Sequence, residues 1–135
     1  MLSYLGISGT ALQAQRTRMN VIANNLANMN VIGSTDGRFE PYRRKLVVFE
    51  PRAALDGDPL QGVSVKSVED DPAEFRLESK PGHPYADAQG YVLAPNVNPM
   101  IEMVDMIEAT RAYEANVTAM ESTKALFGAS LRILA

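Results

Sequence analysis

Residues 98–134 read NPMIEMVDMIEATRAYEANVTAMESTKALFGASLRIL. After Pro99 the stretch holds no proline, a residue that costs about 3 kcal/mol or more in a helix interior. Asn98 suits a helix N-cap and Pro99 the first helical position. Met103, Met106, Thr110, Tyr113, Val117, Met120, Lys124, Phe127, Leu131 and Leu134 then recur at alternating intervals of three and four, the seam of a coiled coil. Glu102, Asp105 and Glu108 place carboxylates in the first turns, where the helix dipole favours them, and are expected to be solvated. Glu108 with Arg111 and Arg111 with Glu114 form possible i,i+3 pairs, and Gly128 is a weak point. A helix over 99–134 is about 54 Å long at 1.5 Å per residue. A 135-residue globule has a diameter of only about 37 Å. Such a helix must project, and its seam must meet either the N-terminal segment or another chain.

The N-terminal segment repeats the pattern. Leu5, Leu12, Met19 and Leu26 recur every seven residues, with Gln15, Ile22 and Met29 between them. The spacing predicts a helix over 3–29, helped by Ala11, Ala14, Ala23 and Ala27 and weakened at Gly6 and Gly9. Between the two helices the composition changes. All eight prolines lie between Pro41 and Pro99, and six of the nine glycines fall within 30–98. Short strands are predicted at 45–49, 62–68, 74–77 and 90–93, with turns at Asp36-Gly37, Asp56-Gly57 and Pro81-Gly82. The expected fold is therefore α+β. Long N- and C-terminal helices (1–30 and 99–135) pair as a coiled coil, and a small, β-rich and loop-rich middle (31–98) lies between them.

Composition excludes several classes. With 13 basic and 16 acidic residues the net charge is −3, so the chain lacks the basic face of a nucleic-acid binder. There is no cysteine, which removes disulfides and thiolate metal sites. No run approaches the roughly 18–20 apolar residues of a membrane span. The start, Met1 to Ser8, has no basic region and no sustained apolar core, so it is not read as a cleavable secretory signal. No phosphate-binding glycine loop, nucleophile elbow or zinc motif is present, and no catalytic, metal or cofactor site is expected. His83, between prolines, reads as a loop histidine. Arg43-Arg44-Lys45 reads as a solvated strand edge, with contact to an anionic partner as the alternative. Asn20, Asn24, Asn25, Asn28 and Asn30 crowd into eleven residues of a poor helix former. They are read either as an amide surface that forms against neighbouring helices or as the capping of a helix end.

These asparagines carry a resemblance. Asn24-Asn25-Leu26-Ala27-Asn28-Met29-Asn30 resembles the Asn-rich SNLANxNT motif near the N-terminus of flagellar rod and hook proteins. Asn24 stands for the usual serine and Val31 for the usual threonine. Gly90-Tyr91-Val92-Leu93-Ala94-Pro95-Asn96-Val97-Asn98, Glu102 to Ile107, and Arg111-Ala112-Tyr113-Glu114-Ala115-Asn116-Val117 resemble the C-terminal signature of flagellar basal-body rod proteins. Residues 31–89 match by length and character more than by motif.

The resemblance implies a structural, non-enzymatic rod subunit. It implies delivery through the flagellar type III export apparatus and assembly in the periplasm beside FlgB, FlgF, FliE and further copies. The paired terminal helices would form the inner layer around the export channel, with the middle outside. The expected assembly residues are Leu12, Met19, Ile22, Asn24, Asn25, Leu26, Asn28, Met103, Met106, Ile107, Arg111, Tyr113, Asn116, Val117, Met120, Phe127 and Leu131. Both ends are expected to order on assembly, because their seams lack partners in a single chain. A coiled-coil adaptor or export-linked interaction protein is the alternative, and an enzyme using His83 the least favoured reading.

Overall fold

The computed structural model describes residues 2–52 and 62–134, with side chains over 5–52 and 62–133. The elements run α1 (Leu2–Ala27), β1 (Lys45–Pro51), β2 (Val63–Asp70), β3 (Arg76–Ser79), β4 (Tyr91–Ala94) and α2 (Pro99–Leu134). The fold is α+β, with two helices and two small antiparallel sheets, β1–β2 and β3–β4. Helix α2 keeps the predicted bounds, and α1 passes through Gly6 and Gly9 without a break. Each predicted strand is found within a residue or two of its expected place. The Asp56-Gly57 turn lies outside the described residues.

Local chemistry sets the helix ends. The Asn98 side chain accepts the Met100 N–H at 3.0 Å, and its carbonyl accepts the Glu102 N–H at 3.0 Å. Helix α1 has no basic residue in its last turn to cover its carbonyls. Asn28 does this work, with Nδ2 donating to the Asn24 carbonyl at 2.8 Å and to the Asn24 side chain at 3.0 Å.

The chain forms two compact units. One draws on Met1–Met19, Val47–Ser67 and Ile107–Ala135, the other on Asn20–Leu46 and Val68–Met106. In the first, the described apolar side chains that are fully covered are only Ala14 and Ala109. Thr10 ties α1 to the sheet there: its hydroxyl donates to the Ile7 carbonyl and accepts the Val63 N–H. Gly62 lies so close to that hydroxyl that a Cβ would collide with it.

The second unit is better filled. Strands β3 and β4 pair Arg76 with Ala94, Leu77 with Leu93, Glu78 with Val92 and Ser79 with Tyr91. Gly33 bridges the outer edge of β4 through both backbone bonds of Leu93. A Cβ on Gly33 would fall within about 2.5 Å of Pro41 and the Phe39 carbonyl, so this crossing requires glycine. Ile22, Val92, Ala94 and Val97 make the apolar core. Asn25, Ser34 and Glu102 are buried with them, and Glu102 is the largest fully buried side chain among the described residues.

Candidate functional site

The most heavily bonded place in the second unit is a polar knot. Asn25 uses its whole hydrogen-bonding capacity in it. Its Nδ2 donates to the Lys45 carbonyl at 2.9 Å and to Glu102 Oε2 at 3.0 Å. Its Oδ1 accepts the Lys45 N–H at 3.0 Å and the Tyr42 hydroxyl at 2.9 Å. Asn24 donates to that same hydroxyl at 3.2 Å. The other carboxylate oxygen of Glu102 accepts Arg44 Nε. The guanidinium reaches further, with Nη1 to Asp71 at 3.1 Å and Nη2 to Asp105 at 3.2 Å.

Asn96 and Arg43 brace the chain around it. Asn96 Oδ1 accepts the Arg44 N–H at 2.7 Å, and its Nδ2 donates to the Ala73 carbonyl at 3.0 Å. Arg43 Nη1 donates to the carbonyls of Asp71 and Ala73, both at 2.9 Å, with the guanidinium 4.1 Å from the centre of the Phe75 ring. The Ala73 N–H, and then the Arg44 charge, hold the Asp71 carboxyl below its usual range despite burial. Burial works against the Arg44 charge, but the bonds to Glu102 and Asp71 more than offset it and raise its pKa. Burial raises the Tyr42 phenol, and the Asp70 partner raises the Lys45 ammonium.

Two expectations are corrected here. Glu102 is not a solvated first-turn acid, because it is 0% exposed and bonded on both oxygens. Arg44 is not a solvated edge residue, because its side chain is only 17% exposed and holds three carboxylates. Those partners lie 27 to 61 residues away, beyond any local pattern. One signal was available in sequence. Glu102 precedes Met106 by four, which makes it a helix neighbour of that seam residue. Glu108 is solvated as expected, its side chain 69% exposed, and its carboxylate meets Arg18 at 3.0 Å.

The expected assembly residues fall into two sets. Ile22 and Asn25 are buried, and Leu12, Met19, Leu26, Asn28, Met106, Tyr113, Asn116, Val117 and Met120 are half-buried. Asn24, Met103, Ile107, Arg111, Phe127 and Leu131 are exposed. The covered stripe of α2 runs through 102, 106, 109, 113, 116, 120 and 123, shifted by one residue at alternate steps from the seam at 103, 110, 117 and 124. Met103 and Lys124 thereby face outward, while Thr110 and Val117 stay half-covered. In the first unit the Thr110 hydroxyl meets Met19 Sδ at 3.7 Å. Tyr42, Arg44, Asn96 and Glu102 were not among the expected residues.

His83 has a local role: its Nδ1 accepts the Tyr85 N–H at 3.2 Å, and the two rings lie 5.5 Å apart. Large apolar side chains stand open on α2. In the second unit these are Met100, Ile101, Met103 and Val104, at 53–71% exposure. In the first they are Ile107, Leu126, Phe127, Leu131 and Ile133. Among the described residues no helix is long and apolar enough to cross a membrane. Open apolar stripes of this kind mark protein–protein contact.

Both ends of the chain match known families. Residues 5–33 match the family described as flagella basal body rod protein, and residues 88–133 match flagellar basal body rod FlgEFG protein C-terminal. The two segments that supply Asn25 and Glu102 thus define a class, the flagellar rod proteins. Full-length relatives narrow it. The flagellar basal-body rod protein FlgC of Yersinia enterocolitica is 48% identical over 126 residues, covering 93% of this chain and 92% of the relative. The FlgC proteins of Bacillus subtilis (41% over 142 residues; 96% and 95%) and Borreliella burgdorferi (42% over 150 residues; 99% and 97%) align nearly end to end as well. The chain belongs to the FlgC family of flagellar basal-body rod proteins: it is a structural component of the motility organelle and not an enzyme.

Proposed function

We propose that this chain is a subunit of the proximal rod that encloses the export channel and passes motor torque along the flagellum. Residues 1–30 and 99–135 make its inner, coiled-coil layer, and residues 31–98 its outer part. The open apolar stripe of α2 carries this reading: side chains such as Met100, Met103 and Val104 stand 55–71% exposed. Helical head-to-tail assembly covers such faces through contacts that do not close on themselves. The exposed members of the expected set (Asn24, Met103, Ile107, Arg111, Phe127 and Leu131) meet neighbouring subunits directly. Leu12, Met19, Leu26, Asn28, Met106, Tyr113, Asn116, Val117 and Met120 line the seam between helices, and Ile22 and Asn25 hold that seam from within.

The neighbours are FlgB, FlgF, FliE and further copies of the chain. Delivery to the periplasm is through the flagellar type III export apparatus. Close helix packing, not a reactive group, transmits the torque. The Arg18–Glu108 and Met19–Thr110 contacts support helix pairing in the first unit. Replacing Leu26 or Val117 with Asp places a charge on the seam and should abolish rod assembly and swimming. Normal swimming with either change refutes the seam.

A further inference from the structure

Strand β3 has one open edge. It pairs with β4 in the register Arg76–Ala94, Leu77–Leu93, Glu78–Val92 and Ser79–Tyr91, and the Lys80 N–H donates to the Gly90 carbonyl at 2.8 Å. In an antiparallel ladder the bonded pairs alternate, so residues 76, 78 and 80 turn their backbone groups towards β4. Leu77 and Ser79 turn theirs away. The far edge of β4 agrees: Leu93 exchanges both its backbone bonds with Gly33, and the Tyr91 backbone bonds Asp87. That edge is therefore occupied, whereas among the described residues no backbone group meets Leu77 or Ser79 on the open side of β3. Leu77 stands 66% exposed there. Such an edge is a template for a further strand.

We infer that two copies of the free subunit pair antiparallel through this edge, with a two-fold axis at Leu77. The charges set the register. Glu74, Arg76, Glu78 and Lys80 alternate in sign at every second position. Centred on Leu77, the pairing sets Arg76 opposite Glu78 of the second copy and Glu74 opposite its Lys80, on both sides of the axis. Only odd-numbered residues offer backbone groups to the open side, so the register slips by two residues or not at all. A slip of two sets Arg76 against Arg76, or Glu78 against Glu78, and like charges directly opposite repel. Within one copy Glu78 serves both Lys80, at 3.1 Å, and Arg76, at 3.7 Å, while Glu74 has no ionic partner among the described residues. A second copy balances these charges. The sheet stops at four strands, because the far edge of each β4 is already occupied. A two-fold contact is closed, unlike the head-to-tail contacts proposed for the rod, so the pair belongs to the free subunit and opens on incorporation. Strands this short bury little area, so the pair is weak, with a Kd above about 10 μM. It uses no residue of 1–30 or 99–135.

Sedimentation velocity of the full chain, from about 10 μM to about 1 mM, tests this. The unchanged chain should pass from monomer to dimer, and the Leu77 and Ser79 amides should gain protection from hydrogen exchange over the same range. Leu77→Pro removes the outward N–H but no bond to β4, and should weaken the pair at least about tenfold. Arg76→Glu and Glu78→Arg each set like charges opposite one another twice, and each variant alone should stay monomeric. Mixed one to one, the two variants restore opposite charges at every position and should recover the dimer. A chain that is monomeric up to about 1 mM would overturn the pairing. So would a dimer that survives Leu77→Pro and both charge changes, or a mixture that stays monomeric. Either result leaves the rod reading standing, because the seam variants test that separately.

Discussion

Arg44 is bound to three carboxylates, and its energetics are asymmetric. Burying each ion costs several kcal/mol, and the attraction within the knot roughly offsets that. The intact group therefore adds little net stability, while deletion of one member exposes the full cost. Arg44→Ala should lower unfolding free energy by about 3–5 kcal/mol in urea denaturation. Asp71 makes the knot sensitive to acid. Its folded pKa lies below its unfolded value, first through the Ala73 N–H and then through Arg44. Its contribution is therefore complete above the unfolded value of about 4 and is lost as pH falls through the folded one. Asp36 acts in the same direction, held at about 2 by the Ser34 side chain and then by the Arg38 N–H. Stability should fall between about pH 4 and pH 2. Asp71→Asn should be less stable at pH 7 and show a shallower acid slope in urea titrations. An unchanged slope would remove Asp71 from this account.

At the scale of elements, α2 was the most legible part of the chain. Asn98 and Pro99 announce its start, the proline-free run carries it to Leu134, and the cap bond to Met100 forms as the residue types require. Asn98→Ala should cost about 1 kcal/mol by chemical denaturation, and Asn98→Asp should restore most of it. The strands were legible because turn glycines bracket alternating apolar residues. The rotational phase of α2 was not. The 3–4 series fits two stripes offset by one residue, and the covered one includes Glu102, which bonds Arg44 58 residues away in sequence. The asparagines show the same limit. Clustering marked them as unusual, but their strand partner is 20 residues on and their helix partner 77. Hydrogen bonds over such distances leave no periodicity to read.

At the scale of the molecule, the proposed assembly assigns folding and docking to different residues of the same helix. Glu102 turns inward and is bonded on both oxygens, while Met103 and Val104 point to solvent at 55% and 62% exposure. A change at those exposed positions should therefore separate the two tasks. Glutamate is a good helix former, and a carboxylate near a helix N-terminus is favoured by the dipole. Met103→Glu with Val104→Glu should leave the unfolding free energy of the monomer within about 0.5 kcal/mol of the unchanged chain. The same change puts two charges on an apolar docking face, where burial without partners is costly. Incorporation into the rod and swimming should both fail, although the subunit is folded and present at normal levels. Swimming at normal speed would show that this face of α2 stays in solvent in the finished rod. The contact would then have to be carried by Ile107 and by the open stripe of Leu126, Phe127, Leu131 and Ile133.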